Sequence, residues 1–258
     1  MIALNLRLRR SFIIIWCLAL WAFLAVFPPA YENYYPTAGD REAFVLGMQR
    51  NAGMTAMWGP VESPATLGQI VMWEAGSMMI ILGSVMAVLL IVGLHRRSET
   101  LGLTELQLST GINRMAPAAA AVVTTAIVAA TMGAGSTAVL ALSGLYVDEM
   151  PVGGALASGS VIALTMLGSA LLAQLVLLLV RDPAALTRTG LMTIAGAFVV
   201  RSVADSEDFG WLNWVSPLGW KTLVHPYVQN DWMAIGMIAG ICVLAAGVVL
   251  FAERQREY

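Results

Sequence analysis

The residues best suited to chemistry stand together in a polar stretch, His95 to Met115, that separates two apolar runs. Ser98 can cap a short helix, and Leu101, Glu105 and Leu108 then share one face at helical spacing. Such a helix can contact another protein, although a short charged helix is more often a solvated connection. We expect it to lie at a membrane surface with its polar side towards the cytoplasm.

Other candidate residues do not support catalysis or metal binding. The sequence has no Gly-x-x-x-x-Gly-Lys-Ser/Thr loop to hold a nucleotide, and it shows no constellation of His, Asp, Glu, Ser or Cys at one depth. His225 stands among scattered acids without the spacing of metal ligands. Cys17 and Cys242 fall inside apolar runs, where free cysteines behave as small buried hydrophobes. We expect no catalytic residue, no metal site and no cofactor bound by this chain.

The elements that hold these residues are predicted to be membrane-spanning helices. Of the 258 residues, 59% are apolar and 12% are charged, against about 25% charged residues in soluble domains. Since a span needs about 20 mainly apolar residues, we predict an all-α membrane protein with a single domain, 1–258. The first residues resemble a signal peptide but lack a clear cleavage site, so a retained helix is expected. The predicted spans are 11–27, 70–94, 116–146, 152–180, 186–204 and 232–252.

Basic residues predict the orientation, because they are held on the cytoplasmic side of a membrane. With the amino terminus inside, ten basic residues fall on the cytoplasmic side and four outside, so both termini are predicted to be cytoplasmic. The net charge is -2 and no basic run offers a phosphate-binding surface, so nucleic acid is not an expected partner. The ten are Arg7, Arg9, Arg10, Arg96, Arg97, Arg114, Arg181, Arg188, Arg254 and Arg256; the four are Arg41, Arg50, Lys221 and Arg201.

Two outer connections are long enough to hold structure of their own. Between Asp40 and Met54, apolar residues fall close to one face of a short helix. Between Phe209 and Trp220, tryptophans, which prefer the headgroup level, occur together with helix breakers. We predict for the first connection a short helix that lies on the membrane surface or caps the helix bundle, and for the second a broken, partly re-entrant element. The apolar face of the first consists of Phe44, Val45, Leu46 and Met48.

Together these stretches resemble permeases of type-2 ABC exporters, particularly the actinobacterial polyketide-antibiotic, or tetronasin-like, exporter permeases. The pattern Arg97-x-Glu99-x-x-Gly102-x-x-Glu105-Leu106-x-x-Ser109-x-Gly111-x-x-Arg114 is similar to their coupling helix. The first outer loop with Trp58-Gly59-Pro60, and then Trp214-x-Ser216-Pro217-x-Gly219-Trp220, follow in the family's order. The resemblance covers essentially the whole chain as one six-helix half. Thr100 and Leu103 depart from the family, which usually has an acid and a basic residue there.

This resemblance implies a type V exporter fold with six transmembrane helices, a cytoplasmic coupling helix over 97–114 and an outer re-entrant helical element. Two cytoplasmic ATPase subunits would bind ATP and Mg, dock the coupling helix and move it. A second six-helix half would come from another chain, a copy of this one or a longer precursor. The expected location is the bacterial cell membrane, among lipids. The charged contacts would come from Glu99, Glu105 and Arg114, and the apolar plug from Leu106 and Leu108.

Several polar or small residues inside the predicted spans also need a role. For Glu74 and Arg201, near the outer ends of spans, pairing with each other or with the acids at 205–208 is favoured over transport, as is contact with headgroups. For Gln174, deeper in its span, an interhelical hydrogen bond is the favoured interpretation. Small residues at 133–136 and 153–160 predict close contact between helices.

Three classes of function stay open. The resemblance favours the permease half of an ATP-driven exporter of hydrophobic or amphipathic compounds such as drugs, antibiotics or lipids. An ion-coupled secondary transporter would normally show acids or histidine near the bilayer midplane and inverted repeats of broken helices. The third class is a membrane enzyme or a non-transporting assembly subunit.

Overall fold

A computed structural model of the chain describes residues 1–63, 65–96, 115–180, 182–207 and 209–255. These residues form helices joined by turns, and no β-strand occurs among them. The prediction of an all-α protein is confirmed. The predicted coupling segment, 97–114, lies outside the described residues.

Five helices within the described ranges are long and apolar enough to cross a membrane. Their lengths of 23 to 28 residues correspond to about 35–42 Å, which exceeds the hydrocarbon thickness of roughly 30 Å. The chain is therefore a multi-pass membrane protein. The five are α2 (Arg10–Tyr34), α5 (Leu67–Leu94), α6 (Ala116–Ser143), α7 (Val152–Leu177) and α10 (Trp232–Arg254).

Shorter or more polar helices complete the described part of the chain. Three single 3-10 turns, Pro183–Ala185, Gly210–Trp214 and Pro217–Gly219, lie beside them. Two π-helical turns, Met72–Gly76 and one that begins at Val92, interrupt the regular winding of α5. The other helices are α1 (Ile2–Leu8), α3 (Ala38–Gln49), α4 (Ala52–Trp58), α8 (Leu186–Ser206) and α9 (Trp220–Val224).

Helix α8 covers the predicted fifth span, 186–204, yet it is not one of the five membrane-crossing candidates. The helix contains Arg188, Arg201 and Asp205, and these charged residues lower its mean hydropathy. A sixth span therefore stays a prediction.

The ends of the long helices differ from the limits of the apolar runs that predicted the spans. Helix α2 continues through Pro28 and Pro29 to Tyr34, well past the predicted end at 27. Helix α5 begins at Leu67, because the Thr66 hydroxyl accepts a hydrogen bond from the backbone N–H of Gln69 (3.2 Å). Hydropathy marks the part of a helix that suits lipid, whereas caps and turns set the ends of the helix itself.

Helices α5, α6 and α7 form the centre of the bundle. Their most apolar windows are 61, 56 and 61% buried, against 22% for both α2 and α10. A side chain on Gly133 of α6 would collide with the backbone of Gly159 of α7, so these two helices approach closely through small residues. The predicted close contact at 133–136 and 153–160 is confirmed.

The connections 35–63 and 209–231 meet at one end of the bundle, and we call this region the cap. Its first part is helical, as predicted, but the helix begins at Ala38 through a capping box between Thr37 and Asp40. Val45 is fully buried, and Phe44 and Met48 pack against the core. Leu46 is exposed, so its assignment to the apolar face was wrong: the helix turns this residue away from the bundle.

Candidate functional site

The residues of the predicted outer element lie in the second half of the cap. Trp214 ends the first 3-10 turn, Pro217 and Gly219 belong to the second, and Trp220 begins α9. The hydroxyl of Ser216 donates a hydrogen bond to the carbonyl of Ala197 in α8 (2.7 Å). This element is therefore broken and fixed to α8, while its depth in a membrane stays a prediction.

Two contacts of Trp220 hold the element against the bundle. Its indole N–H donates to the carbonyl of Trp214 (3.3 Å). Its ring lies so close to Gly168 of α7 that a side chain at Gly168 would collide with it. Glycine at position 168 is thus what allows the cap to reach α7.

A buried ammonium group joins the cap to α5. Lys221, the single lysine of the sequence, is 8% exposed. Its Nζ donates to the carbonyls of Trp58 (2.9 Å), Trp73 (3.2 Å) and Met72 (3.4 Å), and to the hydroxyl of Ser77. Two of these acceptors, the carbonyls of Met72 and Trp73, belong to the π-helical turn Met72–Gly76.

The environment of Lys221 opposes its positive charge. Complete burial lowers the pKa of Lys221 well below the usual lysine value, and the nearby charge of Arg201 lowers it further, while Asp205 acts in the opposite direction. The sequence placed Lys221 among the outer basic residues without assigning it a role. Its occurrence as the only lysine, directly after Trp220, is the one signal that could have marked it.

An ion pair within α8 lies against the cap. Arg201 Nε lies 2.8 Å from Asp205 Oδ2, and the two side chains are 3% and 1% exposed. Arg201 also donates to the carbonyl of Met57 in α4 (2.9 Å), and the amide of Asn213 donates to Asp205 Oδ1 (2.9 Å). The predicted pairing of Arg201 with the acids at 205–208 is confirmed, and it ties α8 to both parts of the cap.

Glu74 does not join this network, although it belongs to the same π-helical turn. It lines a cleft of about 430 Å³ together with residues near the end of α2. The hydroxyl of Tyr31 donates a hydrogen bond to Glu74 Oε2. We call this cleft the aromatic pocket; it is lined by Val26, Phe27, Ala30, Tyr31, Tyr34, Tyr35 and Glu74.

The rings of the aromatic pocket continue into the cap. Tyr31 and Tyr35 have ring centroids 5.8 Å apart, Tyr35 and Phe44 4.7 Å, and Phe44 and Trp73 5.9 Å. Burial and the carboxylate of Glu74 both raise the pKa of Tyr35, which follows the end of α2. The aromatic pocket and the cap thus share the side chain of Tyr35.

Gln174 contradicts its predicted role. It is 1% exposed in α7, and no hydrogen-bond partner of its side-chain nitrogen or oxygen occurs among the residues that the structure describes. The predicted interhelical hydrogen bond was therefore wrong, because the described side chains packed around Gln174 bring no polar atom within reach. Cys17 and Cys242 are free and buried, as predicted.

His225 pairs with a single acid. Its Nδ1 lies 3.1 Å from Glu62 Oε1. Within the described ranges, no group of three or more His, Cys, Asp or Glu residues could hold a metal ion.

The predicted coupling residues all lie outside the described residues, and their role stays a prediction. Their neighbours on either side, the end of α5 at Leu94 and the start of α6 at Ala116, lie at the end of the bundle away from the cap. The residues concerned are Arg97, Glu99, Gly102, Glu105, Leu106, Ser109 and Arg114.

Comparison with known proteins gives one informative similarity. No protein-family model matches the chain. The chain is 30% identical, over 98% of its length, to a multidrug efflux system permease protein of Mycobacterium tuberculosis. It spans 47% of that protein, or about half of its length.

Proposed function

We propose that this chain is one six-helix half of an ATP-driven efflux permease that moves hydrophobic or amphipathic compounds out of the cell. The observation that carries the proposal is the similarity to a multidrug efflux permease over 98% of the chain. The five membrane-crossing candidates and the largely apolar composition agree with such a role. The proposed location is the bacterial cell membrane, with both termini in the cytoplasm.

A separate ATPase drives the transport in this proposal. The segment 97–114 connects α5 to α6 along the chain, and the described residues on either side of it, Leu94 and Ala116, lie at the end of the bundle away from the cap. Glu99, Glu105 and Arg114 would make charged contacts with the ATPase, which would bind ATP and Mg. A displacement of the segment would act directly on α5 and α6.

Near this end of the bundle, residues at the start of the chain contact α5 and α6. The guanidinium of Arg9 donates to the carbonyl of Gly93 in α5 (2.8 Å). The amide of Asn5 in α1 donates to the hydroxyl of Thr124 in α6 (3.4 Å). Helix α1 thus contacts α6, and Arg9, which follows α1, contacts α5.

A second six-helix half completes the permease in this proposal. The relative is about twice as long as the stretch that this chain matches. Helices α2 and α10 keep most of their apolar surface uncovered, with windows only 22% buried. Such faces suit lipid on one side and a second half on the other.

Co-purification tests the ATPase partnership. The chain is expressed together with a candidate ATPase subunit from the same genome, and the complex is captured through a tag on this chain. We expect Glu99→Ala with Glu105→Ala to reduce the recovered ATPase at least about tenfold, while Gln107→Ala in the same segment leaves it unchanged. Equal recovery with the double variant would contradict the docking role.

A susceptibility profile tests the transport function. A deletion strain is expected to become more sensitive to several lipophilic drugs and to regain resistance with the intact gene. Drug accumulation in energised cells separates the energy sources: we expect accumulation to rise on ATP depletion but not on collapse of the proton gradient at constant ATP. The opposite pattern would indicate an ion-coupled transporter, and an unchanged profile a non-transporting subunit.

A further inference from the structure

The aromatic pocket has the size and the walls of a ligand site. Its volume of about 430 Å³ falls in the range of roughly 300–1,000 Å³ that is typical of small-molecule sites. Three tyrosines line it, and one of them, Tyr34, is 72% exposed and stands at its edge. The pocket therefore opens to the surroundings of the chain.

Glu74 gives this cleft a negative charge without a counter-charge. The phenol of Tyr31 is its hydrogen-bond partner, and no ion pair of Glu74 occurs among the residues that the structure describes. A carboxylate in a membrane-spanning helix normally pairs with a cation or faces water, because a lone charge is costly there. The carboxylate of Glu74 can therefore attract a positively charged ligand into the cleft.

The tyrosine rings add to that attraction. The centroids of Phe27 and Tyr31 are 5.6 Å apart with the planes inclined by 64°, so the rings meet edge to face. The face of an aromatic ring carries negative potential and attracts cations within about 6 Å of its centroid. Rings and carboxylate therefore favour the same kind of ligand: an apolar body that carries a positive charge.

The helical turn that carries Glu74 is held by contacts with the cap. Lys221 donates hydrogen bonds to the carbonyls of Met72 and Trp73, and the indole N–H of Trp73 donates to the carbonyl of Gly59 (2.7 Å). π-Helical turns of this kind are frequent at functional sites. The cap thus holds the turn that carries Glu74, so the carboxylate keeps its position when no ligand is bound.

We propose that the aromatic pocket binds a lipophilic organic cation, with the tyrosine rings around its apolar groups and Glu74 as its counter-charge. This inference rests on the proposed efflux function, since it names a substrate class for that permease. The chemistry of the pocket distinguishes such cations from neutral apolar compounds by one charge pair. The alternative occupant is an acyl chain of a lipid, which has no charge that could pair with Glu74.

Equilibrium binding of tetraphenylphosphonium tests the proposal. The full chain is used in native membranes without nucleotide, and membranes that lack it give the background. We expect saturable binding that Glu74→Gln weakens roughly tenfold and that Glu74→Asp largely keeps. Glu42→Gln, which changes an exposed acid of the cap, should bind as the unchanged chain does. Neutral triphenylphosphine oxide should compete at least about tenfold less well than unlabelled tetraphenylphosphonium.

A second variant keeps the test independent of folding defects at Glu74. Tyr34→Leu changes a largely exposed side chain, and we expect it to weaken binding about threefold through the loss of one ring face. Binding within twofold in both Glu74→Gln and Tyr34→Leu would overturn the proposal. Equal competition by the neutral oxide would overturn it as well and would indicate an apolar cleft for lipid.

The outcomes for the pocket and for the efflux function can be told apart. Binding is measured without ATP and without a partner. Binding that depends on Glu74 supports the pocket even when the susceptibility profile is unchanged, a result that would contradict efflux alone. Increased drug sensitivity together with binding that is independent of Glu74 would contradict the pocket alone.

Discussion

The cap and the aromatic pocket differ in how far the surrounding protein satisfies their charged side chains. In the cap, Lys221 donates to three carbonyls and a hydroxyl, and beside the cap Arg201 of α8 is paired with Asp205. In the pocket, the partly exposed Glu74 has a neutral phenol as its hydrogen-bond partner. A charged group in a membrane protein is thus a sign of function only where ion pairs or several hydrogen bonds of the protein do not already satisfy it. The charged groups at the cap therefore stabilise the fold, whereas Glu74 in the pocket can pair with a charged ligand.

One turn of α5 belongs to both regions. The carbonyls of Met72 and Trp73 accept from the cap, while Glu74, the next residue, lines the pocket. The ring of Trp73 also packs edge-on against Phe44 of α3 (5.9 Å, 81°). A change in the cap therefore reaches the pocket through a single helical turn.

Among the substitutions that test this contrast between the cap and the pocket, Asp205→Ala should reduce stability most. It leaves the guanidinium of Arg201 buried without a counter-ion, which should lower the free energy of unfolding by about 3–5 kcal/mol. Unfolding of the purified protein by a denaturing detergent measures this. The matched control is Glu207→Ala, which removes an exposed acid at the end of the same helix. Equal stability of the two variants would show that the pair does not hold the cap.

Lys221→Met should have the next largest effect. The substitution leaves the carbonyls of Trp58, Met72 and Trp73 without their donor in a buried place, at an expected cost of about 3 kcal/mol. The same unfolding assay measures the loss. A variant as stable as the unchanged chain would mean that water or another group satisfies these carbonyls.

The effect of Lys221→Met should also depend on pH. Because burial lowers the pKa of Lys221 in the folded state, the unfolded chain binds more protons between the two pKa values. The contribution of Lys221 to stability therefore increases as the pH rises from the folded pKa towards the ordinary lysine pKa. We expect the loss in Lys221→Met to grow over that range, and a loss that shrinks would contradict the lowered pKa.

Gly154→Ala tests how the cap is seated on α7. The ring of Tyr227 lies close to both Gly154 and Gly68, and an added methyl group at Gly154 would collide with it. Because the ring is also in close contact with Gly68, we expect a loss of about 1–3 kcal/mol in the free energy of unfolding. The neighbouring Gly153→Ala is the control, because its nearest atom would be 4.0 Å away. Similar melting temperatures for the two variants would contradict the predicted clash.

The smallest change in stability is expected in the pocket. Glu74→Gln removes a charge that has no ion-pair partner in the described part of the chain and keeps an acceptor for the Tyr31 hydroxyl. The free energy of unfolding should therefore change by less than about 0.5 kcal/mol. A loss as large as that in Asp205→Ala would place Glu74 in the structural network and remove the contrast between the two regions.

Sequence reasoning found part of this arrangement. The surface helix before Trp58 and the pairing of Arg201 with a nearby acid follow from spacing along the chain, since the partners Arg201 and Asp205 are one helical turn apart. Spacing could not identify Lys221, whose acceptors lie more than 140 residues away. It also misjudged Gln174, because the presence of a polar partner depends on which helices surround it.

The amino-acid sequence by itself determined that the chain crosses a membrane several times, since hydropathy over 18 to 28 residues is a local property of the chain. Only the tertiary structure decided which charges are paired. It brings Tyr31 of α2 to Glu74 of α5, and it brings Lys221 of α9 to the carbonyls of Met72 and Trp73 in the same π-helical turn. The physical reason is that the interaction energy of two charges depends on the distance between them, and helix packing sets the distances between residues far apart in the sequence.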